Sequence, residues 1–168
     1  MQQQQDNKAF LQLVEENKRI IFKICNAYCR NKNDREDLAQ EIIYNLWKSG
    51  RSFNNEQRFS TWMYRVALNV AISFYRKEKR SKPLLSLPGH IVNIADTREE
   101  NAATEEKLNL LQQFINDLKE LDRALVILYL EEKSYSEIAD ILGISETNVG
   151  TKINRIKTKL KQQFSTTH

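Results

Sequence analysis

Apolar residues recur along much of this chain at the three-to-four-residue interval of an amphipathic helix. The first positions are Phe10, Leu13, Val14, Ile20, Ile21, Ile24 and Tyr28, which predict one helical block. Asn33 or Asp34 then reads as an N-cap, with Glu36 and Asp37 in a first turn where negative charge suits the helix dipole. Leu38, Ile42 and Leu46 make a single stripe behind it, and this helix is expected to close near Gly50. A polar loop over 51–60 leads to a third helix from Ser60 or Thr61, carrying Trp62, Val66, Ala67, Val70, Ala71 and Phe74. It dissolves into the basic run RKEKRSK, Arg76 to Lys82.

The period then fails. Both prolines of the chain, Pro83 and Pro88, fall in the next stretch, followed by Gly89, and a proline cannot continue a helix. Residues 82–104 are expected to form a flexible linker between one domain over 8–81 and another over 105–163. Leu108, Leu111, Phe114, Ile115, Leu118 and Leu121 restart the helical period, the apolar run Leu125–Leu130 predicts another helix, and two shorter ones follow. The chain contains no internal repeat. The expected fold is all-α, with two small helical domains.

Composition agrees. The 168 residues include 4 glycines and 2 prolines, where average usage gives roughly 12 and 8, so turns are few and elements long. That scarcity argues against β-sandwiches and glycine-loop nucleotide folds. Charge is segregated: 1–81 carries a net +6, 105–146 a net −6, and 147–168 a net +5 with no acidic residue. Two basic segments around an acidic one predict two contacts with a polyanion and a different partner between them. Met1 to Asn7 is a glutamine-rich tract with neither the basic nor the apolar region of a signal peptide, and reads as disordered. The longest apolar run, Ala124–Leu130, is far short of the ~20 residues of a membrane span. Cys25 and Cys29, four apart in a predicted helix, could supply half a zinc site. With only His90 and His168 besides, they are read as two reduced thiols of a cytosolic chain, with no metal and no cofactor.

The most specific local signal is SYSEIADILGISETNVGTKINRIKTKL, residues 134–160, which reads as a helix-turn-helix. Ser136-Glu137 opens a helix with Ile138, Ala139 and Leu142 inward, Gly143 relieves the turn, and Ser145 caps the last helix. On a wheel, Val149, Ile153, Ile156 and Leu160 fall within about 60°. Thr147, Thr151, Asn154, Arg155 and Thr158 lie opposite, with Lys152, Lys157, Lys159 and Lys161 on the flanks. Short polar groups between cations suit base edges in a major groove with phosphates on either side. The alternative is an ordinary solvated helical hairpin.

Two further sets stand in the first domain. Asp37, Gln40 and Glu41 share an exposed face of the second helix, continued by Tyr44. Carboxylates on a basic domain suit arginines of a partner. A solvated face is the plain alternative, and a metal-dependent active site on Asp34, Asp37 and Glu41 would need further ligands for which the sequence offers no pattern. From Phe53 to Arg80, Phe53, Phe59, Trp62, Tyr64, Phe74 and Tyr75 are mixed with Arg58, Arg65, Arg76, Lys77, Lys79 and Arg80. Such mixtures hold single-stranded DNA, rings stacking on bases and cations following phosphates. Trp62 and Phe74 lie on the apolar stripe and are read as core. Phe53, in a polar loop, is read as functional.

NDREDLAQEIIYNLWKS (33–49), SFNNEQRFSTWMYRVALNVAISFYRKEKR (52–80) and YSEIADILGISETNVGTKINRIKTKLK (135–161), in this order around a linker, resemble the extracytoplasmic-function sigma factors of bacterial RNA polymerase. The resemblance covers nearly all of the chain beyond the glutamine tract. It implies a sigma-two helical bundle and a sigma-four helix-turn-helix domain without the intervening sigma-three. It places Asp37, Gln40, Glu41, Tyr44 and Trp47 against the clamp helices of the polymerase β′ subunit. It gives minus-ten DNA to Phe53, Asn54, Arg65, Asn69, Arg76, Lys77, Lys79 and Arg80, with Phe53 and Asn69 lining the pocket for a flipped base. It gives the minus-thirty-five element to Thr147, Asn148, Thr151, Lys152, Asn154, Arg155 and Lys159. Its implied partners are core RNA polymerase through β and β′, promoter DNA and an anti-sigma factor, for a free chain that is monomeric and cytoplasmic. Gly150 departs from the family, whose members often carry a basic residue there, and costs roughly 1 kcal/mol of helix propensity against alanine.

The expected function is therefore that of a non-enzymatic specificity factor, which brings core polymerase to promoters and assists their melting. A stand-alone helix-turn-helix regulator is the second reading; it requires a ligand pocket or a symmetric dimer surface in the first domain. An enzyme is the third, and requires convergent catalytic groups.

Overall fold

The computed structural model describes residues 1–81 and 102–166, and among them the periodic stretches form eight α-helices, with one short 3₁₀ turn and no strand. The chain divides into two units, Met1–Ser81 and Lys82–His168.

The first unit contains α1 (Gln2–Glu16), α2 (Lys18–Tyr28), α3 (Lys32–Ser49) and α4 (Phe59–Ser81), with the 3₁₀ turn Gly50–Ser52 after α3. The single block expected at its start is two helices. Asn17 ends α1: its side-chain Nδ2 donates to the Leu13 carbonyl at 2.8 Å and its backbone N–H reaches the carbonyls of Leu13 and Val14. A short amide that satisfies the terminal carbonyls itself competes with helix propagation. The glutamine tract, expected to be disordered, lies in the helical α1, exposed throughout. The cap of α3 is Asn31, earlier than expected. Its Oδ1 accepts from the Asp34 N–H at 2.7 Å while its Nδ2 donates to the Asp34 carboxylate at 2.6 Å, a reciprocal arrangement that makes Asp34 the third helical residue rather than the cap.

Helices α2, α3 and α4 pack on one another. Ile24, Leu38, Ile42, Leu46, Met63 and Leu68 are essentially closed to solvent. Because α4 lies against both α2 and α3, its buried arc is wide: Trp62, Met63, Tyr64, Ala67, Leu68 and Ala71. Val66, Val70 and Phe74, expected on its core stripe, are half-buried at the edge of this arc. Cys25 and Cys29 are free and buried, but only Cys25 lies within α2; Cys29 has extended backbone at its C-cap. Among the described residues no group of three or more His, Cys, Asp or Glu could hold a metal ion.

The second unit contains α5 (Ala102–Asp117), α6 (Glu120–Leu130), α7 (Tyr135–Leu142) and α8 (Glu146–Ser165). Of the expected linker 82–104, residues 82–101 lie outside the described residues and 102–104 open α5. Leu108, expected in the core, is exposed; Phe114 and Leu118 carry the burial instead. Arg123, buried in α6, donates through Nη2 to the carbonyls of Asn116 and Leu118 at 2.7 and 3.1 Å. It thereby places a cation at the carbonyl end of α5 and pins the α5–α6 turn. Ala124, Leu125, Leu128, Ile138, Ile141, Val149 and Ile153 complete this core. No described helix is long and apolar enough to cross a membrane.

Candidate nucleic-acid interface

Helix α7 is capped by Ser134, whose hydroxyl accepts from the Glu137 N–H at 3.1 Å, so the helix opens before the expected Ser136. Its inward residues are Ile138 and Ile141, with Ala139 and Leu142 half-buried. Gly143 then adopts φ 68 and ψ 34, left-handed values that glycine reaches without the Cβ penalty. Ser145 caps α8, accepting from the Asn148 N–H at 3.1 Å, as expected. This turn sends α8 off at an angle with Val149, Ile153 and Ile156 buried against α6 and α7 and Leu160 half-buried.

The outward side of α8 carries Thr147, Asn148, Thr151, Asn154, Arg155 and Thr158, all exposed. The Thr151 hydroxyl donates to the Thr147 carbonyl at 3.1 Å and the Thr158 hydroxyl to the Asn154 carbonyl at 2.9 Å. The flanking lysines differ more than the wheel implied. Lys152 is half-buried with its Nζ 4.0 Å from the Asp122 carboxylate, and Lys157 stands 4.6 Å from the centre of the Tyr129 ring. Lys159 and Lys161 are exposed. Gly150 lies beside Tyr135, where an added Cβ would meet the ring at 3.5 Å.

In the first unit, α4 sets four of its polar side chains in one file that continues the line of buried Trp62. Trp62, Arg65, Asn69, Arg76 and Arg80 are spaced three, four, seven and four apart and so fall along one side of the helix. Asn69, Arg76 and Arg80 are exposed, as are Lys77 and Lys79 beside them, while Arg65 is half-buried. Tyr75 packs on Tyr28, with Lys79 6.0 Å above its ring. Tyr64, read as one of the aromatics for single strands, is buried in the core instead.

The file begins at a cluster of rings. Phe53, half-buried rather than free in its loop, has its ring centre 5.3 Å from Phe59 and 5.4 Å from Trp62. Phe10 of α1 meets Phe59 and Trp62 from another direction at 5.9 and 6.0 Å, and Trp47 of α3 at 6.1 Å. Sequence reading missed this role of Phe10, because no local pattern joins α1 to rings this far along the chain. Asn69 lies one heptad beyond Trp62, about 10 Å along the helix axis, while Phe53 packs against Trp62 itself. Asn54 is exposed, its Oδ1 accepting the Glu56 N–H at 3.2 Å.

The face of α3 turned away from Leu38, Ile42 and Leu46 carries Asp37, Gln40, Glu41, Tyr44 and Trp47, all exposed. Ile43 beside them is 49% exposed, Tyr44 64% and Trp47 47%. Large apolar side chains beside two carboxylates form a surface that a partner with apolar and basic groups would cover. The one-sided period of Ile43, Tyr44 and Trp47 off the core stripe is a signal that could have singled out Ile43 as well.

The Sigma-70 region 2 family profile matches residues 13–81, and the Sigma-70 region 4 profile residues 108–160. The chain is similar to the ECF RNA polymerase sigma factor SigW of Bacillus subtilis, 32% identical over 95% of this chain and 90% of that protein. It is 28% identical to the ECF RNA polymerase sigma-E factor of Haemophilus influenzae, over 96% of this chain and 90% of that one. Among solved structures, the sigma factor RpoE of Bartonella quintana, in complex with the anti-sigma factor NepR, has the same fold, with a TM-score of 0.72 at 18% identity over 94% of this chain and 98% of that one. CnrH in complex with the cytosolic domain of CnrY superposes with a TM-score of 0.67 at 21% identity, over 95% and 90%.

Proposed function

The chain belongs to the extracytoplasmic-function sigma factors of bacterial RNA polymerase, and from that premise we propose how its exposed faces divide the work of directing the core enzyme to specific promoters and helping to melt them. The unit over 8–81 carries polymerase docking and minus-ten recognition, and that over 105–163 carries minus-thirty-five recognition. The face of α3 docks on the polymerase. Asp37 and Glu41 meet cations there, Gln40 supplies a directional hydrogen bond, and Tyr44 and Trp47 lose exposed apolar surface.

Promoter duplex is read by α8. Thr147, Thr151, Asn154 and Arg155 face base edges, and Asn148, at the helix start, lies where helix N–H groups meet phosphate. Lys159 supplies a phosphate contact, and Lys152 a weaker one, since it is shared with Asp122. Melting is assisted by α4. An unstacked base lies over Phe53 with its edge toward Asn69, Asn54 stands at the loop beside it, and Arg65, Arg76, Lys77, Lys79 and Arg80 follow the strand. The observation that carries this reading is the file on α4, which joins an aromatic cluster, an exposed amide and a row of cations on one helical side.

An anti-sigma factor is a further partner, as one is for the Bartonella protein, and the free chain is monomeric and cytoplasmic. Catalysis plays no part. The test combines the chain with bacterial core RNA polymerase and selects promoters from a random-sequence library. Recovered sequences should share two conserved elements, and charge reversal at Asp37 and Glu41 should abolish polymerase binding while helix content is kept. Unchanged polymerase binding in that double variant would remove the docking assignment.

A further inference from the structure

Helix α1 buries none of its residues; Phe10, Leu13 and Val14 are its half-buried apolar side chains, and of these the Phe10 ring is the one that meets other rings. That ring is one link between two places to which separate tasks are assigned above. On one side it meets Trp47, the exposed apolar end of the α3 face. On the other it meets Phe59 and Trp62, the two rings on which Phe53 rests. Its seat is made by a missing side chain. A Cβ on Gly50 would lie 2.8 Å from Cζ of Phe10, closer than atoms approach. Gly50 has ordinary right-handed dihedrals, φ −57 and ψ −29, so glycine is not required there by the backbone; the ring is what uses the space.

We propose that Phe10 is a positioning residue: seated on Gly50, it ties the polymerase-facing Trp47 to the strand-capturing Phe53, so that docking of core polymerase and capture of an unstacked base are coupled through α1. The inference rests on the assignments of α3 and Phe53 made above. Its physical content is that edge-to-face rings prefer defined geometries. A partner that fixes Trp47 therefore narrows the positions open to Phe10, and through Phe59 and Trp62 those open to Phe53. Coupling of this kind is reciprocal, so a bound strand must tighten polymerase binding by the same factor.

The experiment measures, for the full chain, its affinity for core polymerase with and without a saturating single-stranded oligonucleotide. The oligonucleotide carries the non-template minus-ten sequence of a promoter recovered from the library. The wild type should show a coupling factor of about fivefold or more, the lower end of the usual range. Phe10→Ala should bring it close to one while leaving the affinity for polymerase alone within about threefold, the low end of what one aromatic pair contributes.

Gly50→Ala keeps every ring and puts a methyl into the seat, so it should lose the coupling as well; it remains informative where Phe10→Ala lowers the folded population. In the double variant the methyl has no ring to displace, so Gly50→Ala should add nothing further. Thermal unfolding is recorded for each variant, because a purely packing role lowers stability without changing the ratio of the two affinities. Charge reversal at Asp37 and Phe53→Ala are run beside them. Should these references bind polymerase and strand normally, the functional reading falls and the inference with it. Should they fail as expected while Phe10→Ala and Gly50→Ala keep the wild-type coupling factor, the inference alone is overturned.

Discussion

Phe53 and Asn69 are both assigned to the captured base, yet their surroundings predict different behaviour when each is cut to alanine. Phe53 is half-buried and packs on two rings at 5.3 and 5.4 Å. Aromatic pairs of this kind contribute about 0.5–1.5 kcal/mol each beyond the area they bury, so Phe53→Ala should lose at least about 1–3 kcal/mol of stability. For a unit of this size that is about 4–8 °C of melting temperature per kcal/mol. Asn69 is exposed, and its removal should change stability by less than about 0.5 kcal/mol.

Both of the chain's tryptophans, Trp47 and Trp62, lie in the first unit, so their emission follows its unfolding. On function the two variants should converge. Stacking on an aromatic ring is worth roughly 1–3 kcal/mol per base, which predicts about a 5- to 150-fold loss of open complex for Phe53→Ala. A good side-chain contact to a base edge is worth a similar about 1–3 kcal/mol, and Asn69→Ala should fall in the same range. The assay is permanganate reactivity of unpaired thymines on a duplex promoter, and holoenzyme affinity for a promoter premelted at the minus-ten element. Both variants should fail on both templates, since capture is needed in each, while engagement of the duplex by α8 continues. Normal opening by Asn69→Ala, together with a Phe53→Ala defect that tracks its unfolded fraction, would refute base capture and leave Phe53 a packing residue.

Arg155→Ala should cost about 1–3 kcal/mol and relax sequence preference, whereas Lys159→Ala should weaken all sequences evenly and lower the salt slope by about 1. Equal, sequence-blind losses in titrations at several salt concentrations would contradict the facing of α8. Gly150→Ala should stabilise the second unit by up to about 1 kcal/mol, measured calorimetrically, since its methyl meets the Tyr135 ring at an ordinary 3.5 Å; a lower melting temperature would contradict it. Burial pushes the Cys25 thiol up to about 11, opposed by the Arg35 cation. Burial also pushes Cys29 up to about 12, with its neighbours Cys25 and Asp34 adding to the rise. Both folded values are raised, so the stability that the neutral thiols contribute should be full below about pH 8.5, the unfolded value, and decline above it toward 11–12. Denaturant melts of the double Cys→Ala variant should lack this alkaline decline relative to the parent.

Legibility of the fold followed the width of each buried face. Leu38, Ile42 and Leu46, and likewise Val149, Ile153 and Ile156, lie on helices that bury a narrow stripe, and simple periodicity identified them. Helix α4 buries a broad arc, so its period is blurred, and Met63, Tyr64 and Leu68 escaped while half-buried Val66 and Val70 were preferred. Helix starts were less legible where several polar residues compete: Asn31 takes the cap through a reciprocal bond with Asp34 that spacing alone does not distinguish from a cap at Asn33. At the candidate site, though Arg65 and Lys152 are half-buried, the exposure of most cations and amides was readable, because exposure is their ordinary state. The rings were not. Whether Phe53 is free or packed depends on Phe59 and Trp62 across a turn of chain, and its tie to Phe10 depends on a glycine whose local backbone needs none.

The hydroxyl hydrogens of Thr151 and Thr158 are committed to carbonyls of their own helix. What these two side chains then offer outward is a methyl group and oxygen lone pairs. In the major groove, amino groups of adenine and cytosine can donate to such a surface and a thymine methyl can rest on it, whereas the guanine edge presents only acceptors. On the reading proposed for α8, Arg155, its one outward arginine, is the side chain expected at a guanine. On that same reading, the spacing of threonines and arginine along the helix becomes an expected spelling rule, with a guanine set among bases that carry amines or methyls.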